Sequence, residues 1–130
     1  MLKASNLFAR LNFIYRMFVK SFNETTKKSI NFNEFCILID VYENSTKTVE
    51  EIAANGLYLL DSLIYNLNVL EQKKLLVIHR KTDLTQSEVV ISAQGMAVIS
   101  YTDQQWDLKK LNPIYHKIEE INNMFRQVYV

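Results

Sequence analysis

A single pair of β-branched segments interrupts a chain whose other apolar residues follow helical spacing. The two segments, LLVIHRKT (75–82) and SEVVISA (87–93), are separated by the polar turn Asp83-Leu84-Thr85-Gln86, a pattern typical of a β-hairpin. Only two glycines and one proline occur among the 130 residues, and so few backbone breakers favour long helices joined by polar turns. The sequence therefore predicts a mainly helical fold with one two-stranded hairpin.

The first segment, residues 2–27, has more apolar surface than one core-facing helix needs. At helical spacing one stripe contains Leu7, Leu11, Ile14 and Phe18, and a second beside it contains Phe8, Tyr15, Val19 and Phe22. A helix that packs on a single core needs only one such stripe. We therefore expect this helix to be buried on two sides, as at a subunit interface.

The last segment, residues 113–130, has a narrower apolar pattern. Asn112-Pro113 is typical of a helix start, with a cap residue followed by proline at the first helical position. Apolar residues then follow at spacings of 4-3-4-3, which indicate a seam between helices rather than a broad core face; they are Ile114, Ile118, Ile121, Phe125 and Val128. The two chain ends together are therefore expected to form a dimer interface.

Capping signals divide the middle of the chain into shorter helices. Two residue pairs have the three-residue spacing of a capping box: Asn31 with Glu34, and Thr48 with Glu51. The first pair opens a helix to about residue 43, and Asn55-Gly56 ends the helix that the second pair opens. The next helix has a buried stripe of leucines at positions 60, 63, 67 and 70, and a further helix is expected over about 93–111.

Length and composition indicate one ordinary globular domain over residues 1–130. Apolar residues make up 48% of the chain and charged residues 22%, which suffices for a core without disulfides or metal ions. The one cysteine cannot form an intramolecular disulfide. No run of about 18 apolar residues occurs, so we expect a cytoplasmic protein without a membrane partner.

The order of these elements resembles the MarR-type winged-helix regulators. The segment LYLLDSLIYNLNVLEQKKLLVIHRKTDLTQSEVVISAQG resembles their recognition helix, wing and following helix, and YNLNVLEQKKLLVIHRKTD…SEVVIS is most similar to the Rot-type members of the SarA family. The resemblance implies a winged helix-turn-helix over 31–92 and a bacterial transcription regulator. Such proteins dimerise through their first and last helices and bind a pseudo-palindromic duplex. The implied interface residues are Leu7, Leu11, Ile14, Phe18, Ile114, Ile118, Ile121 and Phe125.

The implied DNA contacts lie on the recognition helix and the wing. Helical phase places Tyr58, Ser62, Tyr65 and Asn68 outward on the helix. The hairpin and its approach supply groups for phosphates: Lys73, Lys74, His79, Arg80 and Lys81.

The distribution of charge opposes strong DNA binding, however. Residues 34–72 contain one Lys against seven acids, whereas residues 1–33 contain six Lys and Arg against one acid. Two alternatives therefore stay open. The first is a winged-helix dimer that has lost strong DNA binding and acts through protein partners, and the second is a small-molecule sensor without its own DNA site.

Nothing in the sequence indicates catalysis, a cofactor or a metal site. No Gly-rich phosphate loop occurs, and His79 and His116 lack ligand spacing with Cys36. Adjacent Glu50 and Glu51 diverge by about 100° on a helix, so they do not form a proton-sharing pair. Cys36 and Trp106 are expected to serve packing.

Overall fold

The computed structural model describes residues 3–26, 30–43 and 47–129. Six α-helices lie in this part of the chain: α1 (Ala4–Thr25), α2 (Phe32–Glu43), α3 (Val49–Gly56), α4 (Leu60–Gln72), α5 (Ala93–Gln104) and α6 (Leu108–Tyr129). Three short strands accompany them: β1 (Lys47–Thr48), β2 (Leu76–His79) and β3 (Glu88–Ile91). The predicted mainly helical winged-helix fold is confirmed.

The hairpin is part of a three-stranded antiparallel sheet. Its order is β1-β3-β2, with Ile78 opposite Val89 and Thr48 opposite Glu88. The two wing strands are therefore confirmed, and β1 adds a third strand that the sequence did not indicate. Because β1 leads directly into α3, the sheet fixes the start of that helix.

Both predicted capping boxes are present. The Asn31 side chain accepts a hydrogen bond from the Glu34 amide at 2.8 Å, and the Glu34 carboxylate accepts one from the Asn31 amide at 2.9 Å. The Thr48 hydroxyl accepts from the Glu51 amide at 3.2 Å. These bonds satisfy amides that have no intrahelical partner, which explains why α2 and α3 begin where the sequence predicted.

The turn between α3 and α4 has a strained residue beside its glycine. Leu57, with φ of 56°, is in the left-handed region, whereas Gly56 belongs to α3. A Cβ on Gly56 would overlap the Tyr58 ring, so this position requires glycine for space. The left-handed conformation costs a residue such as Leu57 about 1–2 kcal/mol.

The core joins α4 to α2, α3 and the sheet. Leu63, Leu67 and Leu70 are buried as predicted, but Leu60 is 38% exposed. Its inclusion in the buried stripe is therefore wrong, because Leu60 is the first residue of α4 and lies at the edge of the core. Other buried side chains of this core include Phe22, Ile37, Leu38, Val41, Val49, Ile52, Leu76 and Val89.

The boundary between the last two helices differs from the prediction. We expected one helix over about 93–111 and the next from Pro113, but α5 ends at Gln104 and α6 begins at Leu108. The Asp107 carboxylate accepts a hydrogen bond from the Lys109 amide at 2.9 Å and so caps α6. Pro113 lies inside α6. Because proline has no N–H, it cannot make the intrahelical hydrogen bond to the carbonyl of Lys109, an exposed residue four positions earlier.

None of the helices in the described ranges is long and apolar enough to cross a membrane.

Candidate nucleic-acid interface

One face of α4 anchors the helix and the opposite face is open to solvent. Leu63, Leu67 and Leu70 are buried against the core. Ser62 and Tyr65 are exposed, with Tyr65 at 69%, and Asn68 is half-buried. The structure therefore brings three of the predicted contact residues onto the accessible side of the helix, as helical phase predicted.

Tyr58 does not belong to this face. It precedes α4, is half-buried, and donates a hydrogen bond from its hydroxyl to the Asp40 carboxylate of α2. Burial and this bond raise the pKa of the Tyr58 hydroxyl far above its ordinary range. The prediction that Tyr58 points outward from the recognition helix is therefore wrong, because the turn before α4 directs its ring toward α2.

Lys73 is held by a buried carboxylate. Its ammonium lies 3.0 Å from Oε1 and 3.3 Å from Oε2 of Glu34, whose side chain is 5% exposed. The same Oε1 accepts the capping bond from Asn31. Lys73 thus neutralises a buried charge and joins the end of α4 to the start of α2, which removes it from the groups predicted to meet phosphates.

Arg80 is bound by two side chains of α4. Its guanidinium donates to both oxygens of Glu71, at 3.1 and 2.7 Å, and to Oδ1 of Asn68 at 3.0 Å. Glu71 also accepts from the Ile78 amide at 2.8 Å. The hydrogen bonds from Arg80 are the main reason why the pKa of Glu71 is lowered, and those to Glu71 raise the pKa of Arg80.

The other predicted wing groups differ in their partners. Lys81 lies 3.9 Å from the Glu88 carboxylate. Lys74, with φ of 65°, and His79 are both exposed, and no ion pair joins Lys74 to another residue in the described ranges. Three of the four predicted cations are therefore close to acids of the same chain.

The terminal helices expose the residues predicted to form a dimer interface. The exposed fractions on α1 are 49% for Leu7, 49% for Leu11 and 44% for Ile14, and those on α6 are 44% for Ile114, 47% for Ile118, 58% for Ile121 and 61% for Phe125. Phe18 differs because it is half-buried. The 22 residues of α6 include no buried residue, so its apolar stripe has little cover from its own chain.

A cavity of about 420 Å³ lies between the terminal helices, α2 and α5. Its walls are mainly aromatic and apolar, with carboxylates at two positions; they include Phe18, Phe22, Phe35, Cys36, Asp40, Asp103, Trp106 and Leu111. Burial, followed by the nearby Asp40, raises the pKa of the Cys36 thiol to about 11. A high pKa disfavours the reactive thiolate, which agrees with a packing role for this half-buried residue. The described residues contain no group of three or more His, Cys, Asp or Glu that could hold a metal ion.

The fold is similar to solved structures of MarR-type regulators. A mutant MarR from E. coli complexed with operator DNA has a TM-score of 0.77 and 14% identity, covering 96% of this chain and 94% of that one. AbfR bound to DNA has a TM-score of 0.76 and 17% identity, covering 98% of this chain and 94% of that one. Staphylococcus aureus MarR in complex with salicylate and kanamycin has a TM-score of 0.72 and 18% identity, covering 97% of this chain and 89% of that one. AbfR is from Staphylococcus epidermidis.

No protein-family model and no curated protein matches the sequence. At these identities the likeness concerns the fold alone. The chain therefore has the winged-helix fold of the MarR-type regulators, and its narrower similarity to the Rot-type members of the SarA family stays a prediction.

Proposed function

We propose that this protein is a cytoplasmic transcription regulator of the MarR superfamily that binds duplex DNA as a homodimer. The observation that carries the proposal is the open face of α4, where Ser62, Tyr65 and Asn68 lie opposite a face fixed in the core. Hydroxyl and amide groups at these positions can bond to base edges in a major groove. DNA-bound structures of similar fold, those of E. coli MarR and AbfR, support this role.

Dimerisation is inferred from the terminal helices. An amphipathic helix of 22 residues without a buried residue leaves a large apolar surface in water, which favours association through the hydrophobic effect. A second copy is the partner of choice because α1 and α6 both expose such surfaces, and a two-fold interface uses the same patch on both subunits. We place the interface on these helices and the helix-turn-helix with its wing on residues 31–92.

Fewer residues are assigned to DNA contacts than the sequence predicted. Ser62, Tyr65 and Asn68 are assigned to bases, and Lys74 and His79 to phosphates. Lys81 and Arg80 would first have to leave Glu88 and Glu71. Tyr58 and Lys73 are omitted, because their polar groups are bound to Asp40 and Glu34.

We therefore expect duplex binding with a modest salt dependence. With about two to four phosphate contacts per dimer, affinity should fall by about 10- to 100-fold between about 50 and 200 mM salt. Fluorescence anisotropy with a mixed AT-rich duplex measures this change.

Tyr65→Ala should weaken binding to a preferred duplex by about tenfold, because base contacts are lost. Tyr101→Ala changes a tyrosine on α5 that is also exposed, and it should leave the affinity for the duplex unchanged.

A second function, action through protein partners, is favoured by two observations. Lys73, Arg80 and Lys81 are near acids of the same chain. In addition, Leu57 and Leu59 are 91% and 80% exposed at the turn that leads into α4, where a phosphate-binding surface would have polar groups. A folded dimer that binds no duplex at low salt would make this function the better proposal.

A further inference from the structure

The Glu71 carboxylate joins the recognition helix to the wing through three hydrogen bonds. Two come from the guanidinium of Arg80, at 2.7 and 3.1 Å, and one from the Ile78 amide of β2 at 2.8 Å. Side-chain exposure is 50% for Arg80 and 27% for Glu71, so the pair lies at the surface. Arg80 is therefore close enough to solvent to meet a ligand, but its two terminal nitrogens already bind a carboxylate.

We propose that Glu71 competes with DNA phosphate for Arg80 and thereby keeps the affinity of this winged helix for DNA low. The proposal rests on the proposed function. A two-oxygen contact with a carboxylate uses the same paired N–H groups that arginine offers to a phosphate. Binding of Arg80 to DNA would thus require the Glu71 pair to break, and the carboxylate left behind would repel the phosphates.

The same pair determines what Asn68 presents to DNA. Arginine has only donors, so the amide oxygen of Asn68 must face Arg80, as the 3.0 Å contact requires. The amide nitrogen is then the group left for a base edge. Asn68 would then bond through its nitrogen to a base acceptor, such as N7 of guanine or adenine, while its oxygen keeps one lone pair.

Removal of the charge of Glu71 tests the competition without removing its contact to the sheet. In Glu71→Gln, the amide oxygen can still accept from the Ile78 amide, and the Arg80 side chain is 50% exposed, so water can solvate its guanidinium. The matched control is Glu24→Gln, which makes the same charge change in an exposed pair with Lys20 on α1. Far-UV circular dichroism and thermal unfolding check that both variants fold.

Two measurements separate this inference from the proposed function. On immobilised heparin, a polyanion without bases or grooves, Glu71→Gln should elute at higher salt than the Glu24→Gln control. In duplex titrations at about 50 mM salt, the affinity of the Glu71→Gln dimer should be about tenfold higher than that of the wild type. The slope of log affinity against log salt concentration should become steeper by about two, because each dimer frees two arginines. Addition of Arg80→Gln to Glu71→Gln should cancel both gains.

Each result has a distinct meaning. If heparin elution and duplex affinity are the same in Glu71→Gln and Glu24→Gln, Glu71 does not compete for Arg80, although wild-type duplex binding would still support a regulator. If heparin elution shifts as expected but neither wild type nor variant binds a duplex, the competition exists and the proposed function is wrong. An equal gain in the double variant would also overturn the inference.

Discussion

Lys73→Met is expected to lower the free energy of unfolding by about 2–3 kcal/mol, because it leaves a buried carboxylate without its cation. Glu34 is 4% exposed, and among the described residues its other donor is the Asn31 amide. Methionine keeps most of the apolar stem of lysine, so the loss comes mainly from the charge. The partial exposure of Lys73, 36% for its side chain, keeps the value below the upper end for fully buried pairs. Urea unfolding measures the change.

Two further variants identify the cause of that loss. Lys117→Met removes a cation from the exposed pair with Glu120, whose side chains are 77% and 65% exposed, and should change stability by less than about 0.5 kcal/mol. Glu34→Gln added to Lys73→Met removes the unpaired charge and should recover most of the loss. Equal, small effects of Lys73→Met and Lys117→Met would contradict a structural role for the Glu34 pair.

Ile118→Glu combined with Ile121→Glu is expected to convert the proposed dimer to monomers. Both isoleucines are about half exposed in the single chain, at 47% and 58%. In the proposed interface, two carboxylates per protomer would become buried without partners at a cost of several kcal/mol. Sedimentation velocity at micromolar concentration should show the mass of one chain, and duplex affinity should fall by at least about 100-fold because the two half-sites are no longer linked.

The matched control places the same charges on the other side of α6. His116→Glu combined with Asn123→Glu changes exposed polar positions that lie about 140° to 160° from Ile118 at 100° per residue. This variant should stay dimeric. A wild-type protein that sediments as a monomer, or a dimer that survives the two isoleucine substitutions, would contradict the proposed interface.

Local signals predicted the fold well. The two capping boxes and the leucines of α4 depend on residues three or four apart, so their outcome is largely decided within one helix. The end of α5 was missed because Asn112-Pro113 has the form of a helix start, whereas Asp107 is the residue that caps α6. Strand β1 was missed because two residues, Lys47 and Thr48, are too few for a periodic signal.

The candidate site was less predictable, because its polar partners come from distant parts of the chain. Helical phase identified Ser62 and Tyr65 as exposed, because their exposure depends only on which face of α4 they occupy. The pairs Tyr58–Asp40 and Lys73–Glu34 join residues that are 18 and 39 positions apart. Contacts over such distances cannot be predicted from a spacing in the sequence. The acidic balance of residues 34–72 was the one available signal, and Glu34 and Glu71 turn out to be two of the acids that hold predicted DNA-binding cations.

The most direct measurement is selection of duplexes from a randomised library by the wild-type protein, followed by sequencing. A homodimer that reads DNA with two α4 helices should enrich an inverted repeat whose half-site centres are about one helical turn apart, or a multiple of it. Tyr65→Ala should weaken the base preference at fixed positions within each half-site. A folded dimer that enriches no sequence, or only unpaired half-sites, would contradict the account.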